Sequence, residues 1–440
     1  MSPSLSIECD PVDQPAAHDP VERRTWCALR IRVRGRTVTR LWDKALQEER
    51  VSVYLPAFPL AEWVVSHWWT LLNEPSPAPL PPRAAGPHHS WVKRHCFRAA
   101  EAGMLLPMLY LFSDGRGLCA AWQADERHVL SHMPGDFIDA GCEHLEQAAV
   151  EDALASFVTE TLHRAASLDD ERVNAVRENW QAIREADAEE VRFCVAAGRM
   201  GLDPYDSASL DQATATFLET ALADPDLPVA RDLTEAADRD KVAEQWQWVR
   251  HQATAWQLHA LPKPLPWAID LTETSSFRHG YRLAAQVRQA AGFAPTTPLA
   301  SVAALAHALT GGDFRALEAN HLSGTKVHAV VGWTGKADIL LAGPRPARTD
   351  NQRFLEARGL YHALFACERS ERLVTRAYTW DQQASRAFAA ELLAPQAALL
   401  ARARGYADRT MVEGMAQEYG ASSVVVEKQL ENAGVTLVDE

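Results

Sequence analysis

Two helical patterns near the carboxyl terminus constrain the fold of this chain more than any other stretch. The first, within residues 351–366, places apolar residues at steps of three and four, at Phe354, Ala357, Tyr361, Leu364 and Phe365. The second has the inner stripe Ala384, Phe388, Glu391 and Leu392 and is stopped by Pro395. This spacing is typical of amphipathic helices, so the sequence predicts two helices that pack against each other.

The first helix carries the spacing of a zinc-peptidase motif without most of its chemistry. Residues four apart lie on one face of a helix, and H-E-x-x-H enzymes place two histidine ligands there, with a glutamate base beside the first. Here the five residues are R-G-L-Y-H, from Arg358 to His362. A guanidinium has no lone pair for a metal and glycine accepts no proton. The motif therefore predicts a site that has lost its known activity.

Two short strings carry a resemblance to a known family. The R-F pair at 353–354 and the string F-A-A-E-L-L-A-P at 388–395 resemble the signature of the IrrE/ImmA family of bacterial zinc endopeptidases. The resemblance covers roughly residues 275–440. It implies that Arg358 replaces the first histidine, that Gly359 replaces the catalytic glutamate and that His362 survives as the second histidine. It also implies that the third ligand falls near Gln382, with Asp381 beside it.

The resemblance implies a biological setting, since members of this family cleave repressors in stress and mobile-element responses. With its ligands replaced, the chain is expected to be a pseudoenzyme without catalytic residues, metal or other cofactor. We expect it to act as a regulatory, sensor or complex-forming protein in a bacterial stress or phage response, with another protein as its partner. The sequence further predicts that Arg358 takes the structural role of zinc by pairing with Glu391 or Asp381, the alternative being an arginine that points to solvent.

Two other functions remain open. An active zinc endopeptidase that cleaves a repressor would need rearranged ligands, drawn from His362, Asp381, Glu391 and also His328. A DNA-binding regulator would act through the helix-turn-helix outline at residues 411–434. That segment carries several acidic residues against the single Lys428, whereas a recognition helix is usually basic. The pattern therefore favours two helices that pack within their own domain.

Length and pattern predict an α+β protein with several domains, because 440 residues are enough for two or three separate cores. Residues 1–24 are expected to form a flexible acidic tail, and residues 25–135 a β-rich domain with one tryptophan-rich helix. Residues 138–260 are predicted to be a helical domain. The resemblance implies that residues 265–440 form an α/β zincin-like domain.

Composition excludes several classes of function. A formal net charge of −14 argues against broad affinity for nucleic acid or anionic membranes. Seven scattered cysteines with no C-x-x-C pair are typical of free thiols in a reducing compartment. The amino terminus is polar, and no apolar run approaches the roughly 18 residues of a membrane span. A cytoplasmic location is therefore expected.

Three smaller features are candidate binding sites. Five histidines have no carboxylate at the spacing that a zinc peptidase needs, namely His88, His89, His95, His128 and His132. The string D-P-Y-D at 203–206 favours a helix-capping turn over an acidic ligand site, because Asp and Pro are common turn residues. Arginines on alternate positions from Arg30 to Arg34 predict a solvated strand face, with contact to a phosphate backbone as the less favoured alternative.

Overall fold

A computed structural model describes residues 4–14, 17–79, 89–125, 134–206, 210–221, 227–236, 238–261, 273, 275–320, 325–335 and 337–438. The chain forms two compact units, residues 1–218 and 219–440, and each is described by itself. Both contain helices and sheets, so the predicted mixed α+β class is confirmed. In the part that the structure describes, no helix is both long enough and apolar enough to cross a bilayer.

In its described residues the first unit contains three small sheets and a set of helices, and its first strand lies within residues 1–24, where a flexible tail was predicted. Its strands are β1 (Leu5–Pro11), β2 (Trp26–Val33), β3 (Arg36–Thr37), β4 (Leu41–Asp43), β5 (Glu48–Arg50), β6 (Val53–Pro56), β7 (Met108–Ser113), β8 (Leu118–Gln123), β9 (Gly135–Phe137) and β10 (Gly141–Leu145). The sheets have the orders β1-β2-β3 with β6 on β2, β10-β8-β7, and β5-β4-β9. The helices are α1 (Pro20–Thr25), α2 (Phe58–Ser66), α3 (Trp68–Asn73), α4 (His89–His95), α5 (Gln147–Ala165), α6 (Glu171–Glu185), α7 (Ala188–Arg199) and α8 (Gln212–Ala221).

The arginines of β2 lie on the outer face of the first sheet, as alternation predicts. Leu29, Ile31 and Val33 point into the core. On the opposite face, Glu8 of β1 forms ion pairs with both Arg30 and Arg32. A neighbouring strand therefore offsets much of the positive charge on this face.

The tryptophan-rich segment is buried, but it forms two helices where one was predicted. Helix α2 ends at Ser66 and α3 begins at Trp68, with His67 between them. Trp63, Trp68 and Trp69 all lie in the core of the first unit, because large aromatic side chains bury the most apolar area. The break turns the chain so that α3 packs against α7.

The helices of the predicted 138–260 region form close to their expected positions, but the two units divide this region between them. Helix α6 is capped by Asp170, whose side chain accepts hydrogen bonds from two backbone N–H groups. The division between the units falls within α8, so the later helices of the region belong to the second unit.

The second unit is built around one mixed sheet of order β11-β13-β12-β14. Its strands are β11 (Phe314–Glu318), β12 (Val327–Thr334), β13 (Asp338–Gly343), β14 (Arg372–Thr375), β15 (Tyr406–Asp408) and β16 (Thr436–Val438). Its helices are α9 (Pro228–Ala236), α10 (Val242–Ala255), α11 (Ser276–Ala290), α12 (Val302–Thr310), α13 (Thr349–Phe365), α14 (Trp380–Leu393), α15 (Gln396–Ala403), α16 (Arg409–Tyr419) and α17 (Ser423–Asn432). Strands β15 and β16 pair separately.

The predicted packing of the two motif helices is confirmed. The rings of Tyr361 on α13 and Phe388 on α14 lie 5.6 Å apart between centroids, and both are fully buried. Helix α11 packs on the other side of α14 at Gly280, where a Cβ atom would lie 2.4 Å from the carbonyl oxygen of Ala384. Only glycine permits so close an approach of two helix backbones.

Three elements that position the site were not predicted. Strands β11 and β14 are short, and α9 follows a segment rich in Asp and Pro. The two strands have too few residues for a clear period, and tertiary contacts decide their conformation. Strand β14 pairs with β12 and places its residues beside α14.

Candidate functional site

Arg358 and Gln382, which the resemblance places at two zinc-ligand positions, belong to one buried hydrogen-bonded cluster. Arg358 lies on the inner face of α13 and is 5% exposed. Its Nε donates to the Ser385 hydroxyl at 3.1 Å, and its Nη2 donates to the Thr375 carbonyl at 2.7 Å and to Oε1 of Gln382 at 2.8 Å. The positions that the resemblance assigns to the first and third zinc ligands are therefore joined directly, by an arginine and a glutamine.

Gln382 fixes the strand to the helix. Its Oε1 also accepts from the Thr375 backbone N–H at 2.9 Å, and its Nε2 donates to the Leu373 carbonyl at 2.7 Å. A buried amide can satisfy both of its polar ends in this way. Arg358 and Gln382 together link α13, α14 and β14 where a zinc ion would link ligands in a peptidase.

The predicted partner of Arg358 was wrong, although its burial agrees with a structural role. Glu391 instead accepts from the Gln429 side chain at 2.9 Å and from the Gln396 backbone N–H at 3.1 Å. Asp381 bonds to Arg372 at 2.9 Å. The error arose because sequence spacing identifies the face of a helix but not which of several polar groups on the next element lies opposite.

The surviving histidine is enclosed. His362 has no exposed surface, and neither ring nitrogen makes a hydrogen bond of ordinary geometry with a described residue. Burial, followed by the positive charge of Arg372, lowers its pKa well below the usual range. The opposite influence of Asp381 and of the Gln382 side chain is weaker. His362 is therefore a neutral imidazole at physiological pH.

The position of the catalytic glutamate is closed by the sheet. A Cβ atom on Gly359 would lie 2.8 Å from Cδ1 of Leu341 on β13. Leu341 is itself buried, so a longer side chain at 359 would have to displace part of the core. A general base at this position would therefore require the Leu341 side chain to move.

A buried ion-pair network adjoins the cluster and was not predicted. Arg372 on β14 is 3% exposed and forms a two-pronged pair with Asp232 of α9, with N–O distances of 2.7 and 2.8 Å. Its Nη2 also binds Asp381. Asp232 further accepts from the Leu373 backbone N–H at 2.9 Å. Burial opposes the charged form of Arg372, but the two carboxylates together raise its pKa well above the usual range.

A sequence signal for Asp232 does exist. Val229, Leu233 and Ala236 recur at helical spacing and are all buried, and Asp232 lies on the same face. An acidic residue within an apolar stripe is costly unless it has a partner. This pattern indicates a buried pair, although it does not identify Arg372.

The rearranged zinc ligands are not brought together. Within the described ranges, no three His, Cys, Asp or Glu side chains are placed to share one metal ion. His328 lies on β12, with its Nε2 3.3 Å from Nε of Arg376. Glu391 bonds to α17, and Asp381 is held by Arg372. This arrangement does not fit a tetrahedral zinc site.

Two other candidate sites, His95 and the helix-turn-helix outline, have structural roles in the described residues. His95 is buried, with one ring nitrogen 2.6 Å from the Leu111 carbonyl and the other 3.0 Å from Glu74. His88, His128 and His132 lie outside the described residues. Helices α16 and α17 form the helix-turn-helix outline, and their cations Arg409 and Lys428 pair with Glu413 and Glu431. The outline thus presents paired charges instead of a basic surface.

Comparison with known proteins gave no match, either to the protein-family models or to the curated proteins. The IrrE/ImmA resemblance therefore stays a prediction based on residues 353–354 and 388–395.

We expect the substitution Arg358→Met to change the free energy of unfolding by less than about 1.5 kcal/mol. Methionine fills similar space and removes a buried charge that has only neutral acceptors, and such replacements are often close to neutral. Arg358→Ala should cost about 2 kcal/mol or more, because it leaves a cavity. Urea denaturation measures both. A cost of 3 kcal/mol or more for the methionine variant would contradict the described hydrogen bonding.

We expect His362 to make the protein less stable as the pH falls below about 6.5. Its pKa is lowered in the folded state, so the unfolded chain binds the proton first and stability falls with decreasing pH. The slope for one such group is at most about 1.4 kcal/mol per pH unit, so the loss between pH 6.5 and 5 is at most roughly 2 kcal/mol. Denaturation curves of wild type and His362→Leu at several pH values test this. Parallel pH profiles of the two proteins would contradict it.

Proposed function

We propose that this chain is a metallopeptidase-like pseudoenzyme that works by binding another protein. The observation that supports this most strongly is Arg358, a buried guanidinium hydrogen-bonded to Gln382 in the place of two zinc ligands. A guanidinium has no lone pair to give a metal, and a neutral glutamine amide is not among the usual ligands of zinc. The adjoining Gly359 provides no base. The scaffold is then retained for recognition instead of cleavage.

The resemblance to IrrE/ImmA peptidases supports a regulatory setting. Proteins of that family act on repressors in bacterial stress and mobile-element responses. A relative that lacks the zinc ligands can still bind the same class of protein. We infer that the partner is a protein of such a response, bound without cleavage. The net charge of −14 supports a protein partner over direct contact with nucleic acid.

An open sheet edge provides a surface for such a partner. Strand β11 is at one end of the described β11-β13-β12-β14 sheet. The carbonyl of Asp313 accepts from Ile339 N–H at 2.8 Å, and Ala319 N–H donates to Gly343 at 3.0 Å. In a parallel pair, alternate residues bond to the neighbouring strand. The backbone groups of Ala316 therefore face away from β13, where an extended segment of a partner can pair.

A cavity beside this edge extends the surface. It has a volume of about 300 Å³ and is lined by Ala316–Glu318, Gly343–Pro346 and three residues of α13, namely Gln352, Leu355 and Glu356. Arg345 donates to Gln352 at 3.2 Å, and Gln352 donates to Glu356 at 2.9 Å. Strand pairing gives affinity in such complexes, and adjacent pockets for side chains give specificity.

Partner capture from the native host with an edge-blocked variant tests the proposal. Ala316→Pro removes the outward N–H group and fits an edge strand, whereas the matched control Ala316→Val keeps that group. We expect quantitative mass spectrometry to recover the same specific partner with wild type and with Ala316→Val. Recovery with Ala316→Pro should fall at least about tenfold, which corresponds to 1.4 kcal/mol of binding energy.

Two results would contradict the proposal. Recovery of no specific protein with wild type would argue against a binding function, and equal recovery with Ala316→Pro would exclude the β11 edge. The competing peptidase hypothesis is tested by metal analysis of the purified protein. About one zinc per chain, lost on mutation of His362, would favour the active enzyme.

A further inference from the structure

A separate cavity in the first unit lies between helices and an acidic turn. It has a volume of about 320 Å³. Val65 and Trp69, at the α2–α3 junction, form one wall of the cavity. Ile183 of α6 belongs to a second wall, and the turn at residues 202–206 forms a third. This volume is at the lower end of the range for small-molecule sites. It accommodates one small organic group.

The walls of this cavity are held in place by close contacts. A Cβ atom on Gly198 of α7 would lie 2.4 Å from the carbonyl oxygen of Trp69, so α7 presses directly on α3. The turn is closed by Asp203, which accepts from the Tyr205 backbone N–H at 3.0 Å. The Tyr205 hydroxyl donates to Glu190 of α7 at 3.3 Å. The cavity is therefore formed before any ligand arrives.

The cavity has an apolar floor and an acidic mouth. Val65, Trp69, Ile183 and Leu202 are buried, whereas Tyr205 is 45% exposed. Asp203 and Asp206 are exposed at the mouth, and the described residues that line the cavity include no Lys or Arg. A ligand with an apolar stem and a positive charge would fit both the floor and the mouth of the cavity. Carboxylates attract a positive charge, and aromatic rings bind a cation over their faces.

Trp69 provides a second polar feature at this site. Its ring is about nine-tenths buried, and its Nε1–H makes no hydrogen bond of ordinary geometry with a described residue. Burial raises the pKa of the Tyr205 hydroxyl, and a hydrogen-bonding influence of the Trp69 N–H is the weakest effect and opposes the rise. A buried indole N–H usually has a partner. Trp69 and Tyr205 thus place two aromatic side chains at one cavity.

We propose that this cavity binds a small organic cation, an ammonium or guanidinium group on an apolar stem, with Trp69 and Tyr205 around the stem and Asp203 and Asp206 at the charge. The site is independent of the zinc-motif remnant and of the function proposed for it. The cation is carried either by a free small amine or by a lysine side chain of a peptide.

Titration of the full-length protein with matched probes tests this. The probes are n-hexylamine, which is protonated at neutral pH, its uncharged counterpart n-hexanol, and the capped tripeptide acetyl-Gly-Lys-Gly-amide. We expect calorimetry or ligand-observed NMR to show saturable binding of hexylamine, with hexanol at least about tenfold weaker, which corresponds to one charge near carboxylates at a partly exposed site. Tighter binding of the tripeptide than of hexylamine assigns the natural ligand to a peptide. Weaker binding assigns it to a free amine.

A double variant removes the charge and keeps the shape. In Asp203→Asn/Asp206→Asn the asparagine at 203 can still accept from Tyr205 N–H, and hexylamine should bind at least about tenfold more weakly. The matched control Asp187→Asn/Asp211→Asn removes two charges from helix caps, where asparagine also caps. It should bind hexylamine like wild type. Equal affinity for amine and alcohol, no saturation with hexylamine, or equal weakening in both variants would overturn the proposal.

Discussion

Replacing Asp232 with alanine is expected to destabilise the second unit by about 3 to 5 kcal/mol. The substitution leaves the guanidinium of Arg372 buried, with Asp381 as its remaining carboxylate. It also removes the acceptor of the Leu373 N–H group. A buried charge that loses its two-pronged partner keeps its desolvation cost without the attraction that offset it. Urea denaturation followed by circular dichroism measures the change.

A control and a double variant separate the pair from general effects. Glu413→Ala breaks an exposed pair with Arg409 on α16 and should leave the midpoint within experimental error. Asp232→Leu/Arg372→Met replaces both partners with apolar groups and should cost less than the sum of the two single substitutions. Strictly additive losses would show that the two residues are not coupled, contrary to the described geometry.

Replacing Phe388 with alanine is expected to cost about 3 to 5 kcal/mol, the usual cost of deleting a buried phenyl ring. Phe388 has no exposed surface, and its ring packs against Tyr361 and Phe365 at centroid distances of 5.6 and 6.0 Å. The cavity would open between α13 and α14, the two helices that hold Arg358 and Gln382. Thermal or urea unfolding measures the loss.

A conservative variant and an exposed position serve as controls for Phe388. Phe388→Leu retains most of the apolar volume and should lose less than half as much as alanine does. Val424→Ala lies on α17 at a position that is 62% exposed and should have little effect. A small effect of Phe388→Ala would mean that the two helices do not depend on each other for stability.

Long periodic segments were predicted well, and short ones were not. The pattern of Phe354, Tyr361 and Phe388 identified α13, α14 and their shared core, because a long apolar stripe has few ways to be buried. Strands β11 and β14 are only five and four residues long. Their conformation depends on pairing with β13 and β12, which are distant in sequence, so local propensity was a poor guide.

The same contrast holds for the candidate site, where local features were predicted and contacts between distant residues were not. The sequence predicted Arg358, Gly359 and Gln382 as replaced positions of the motif and His362 as the retained one, because the spacing of a motif is a local property. The structure brings Arg358 and Gln382 into contact and encloses His362, whereas Glu391 faces α17. Asp232 lies 140 residues before its partner Arg372, and no local pattern could link the two.

The sequence by itself determined the mixed fold class, the burial of the aromatic stripes and the absence of a metal-binding side chain at Arg358 and Gly359. These follow from residue identity and helical spacing, which depend only on the chain and its nearest neighbours. Only the tertiary structure decided that Arg358 bonds to neutral oxygens, that Asp232 completes the Arg372 pair and that Trp69 and Tyr205 share a cavity. Such pairings depend on which elements the whole core brings side by side, because every buried polar group must find its partner there.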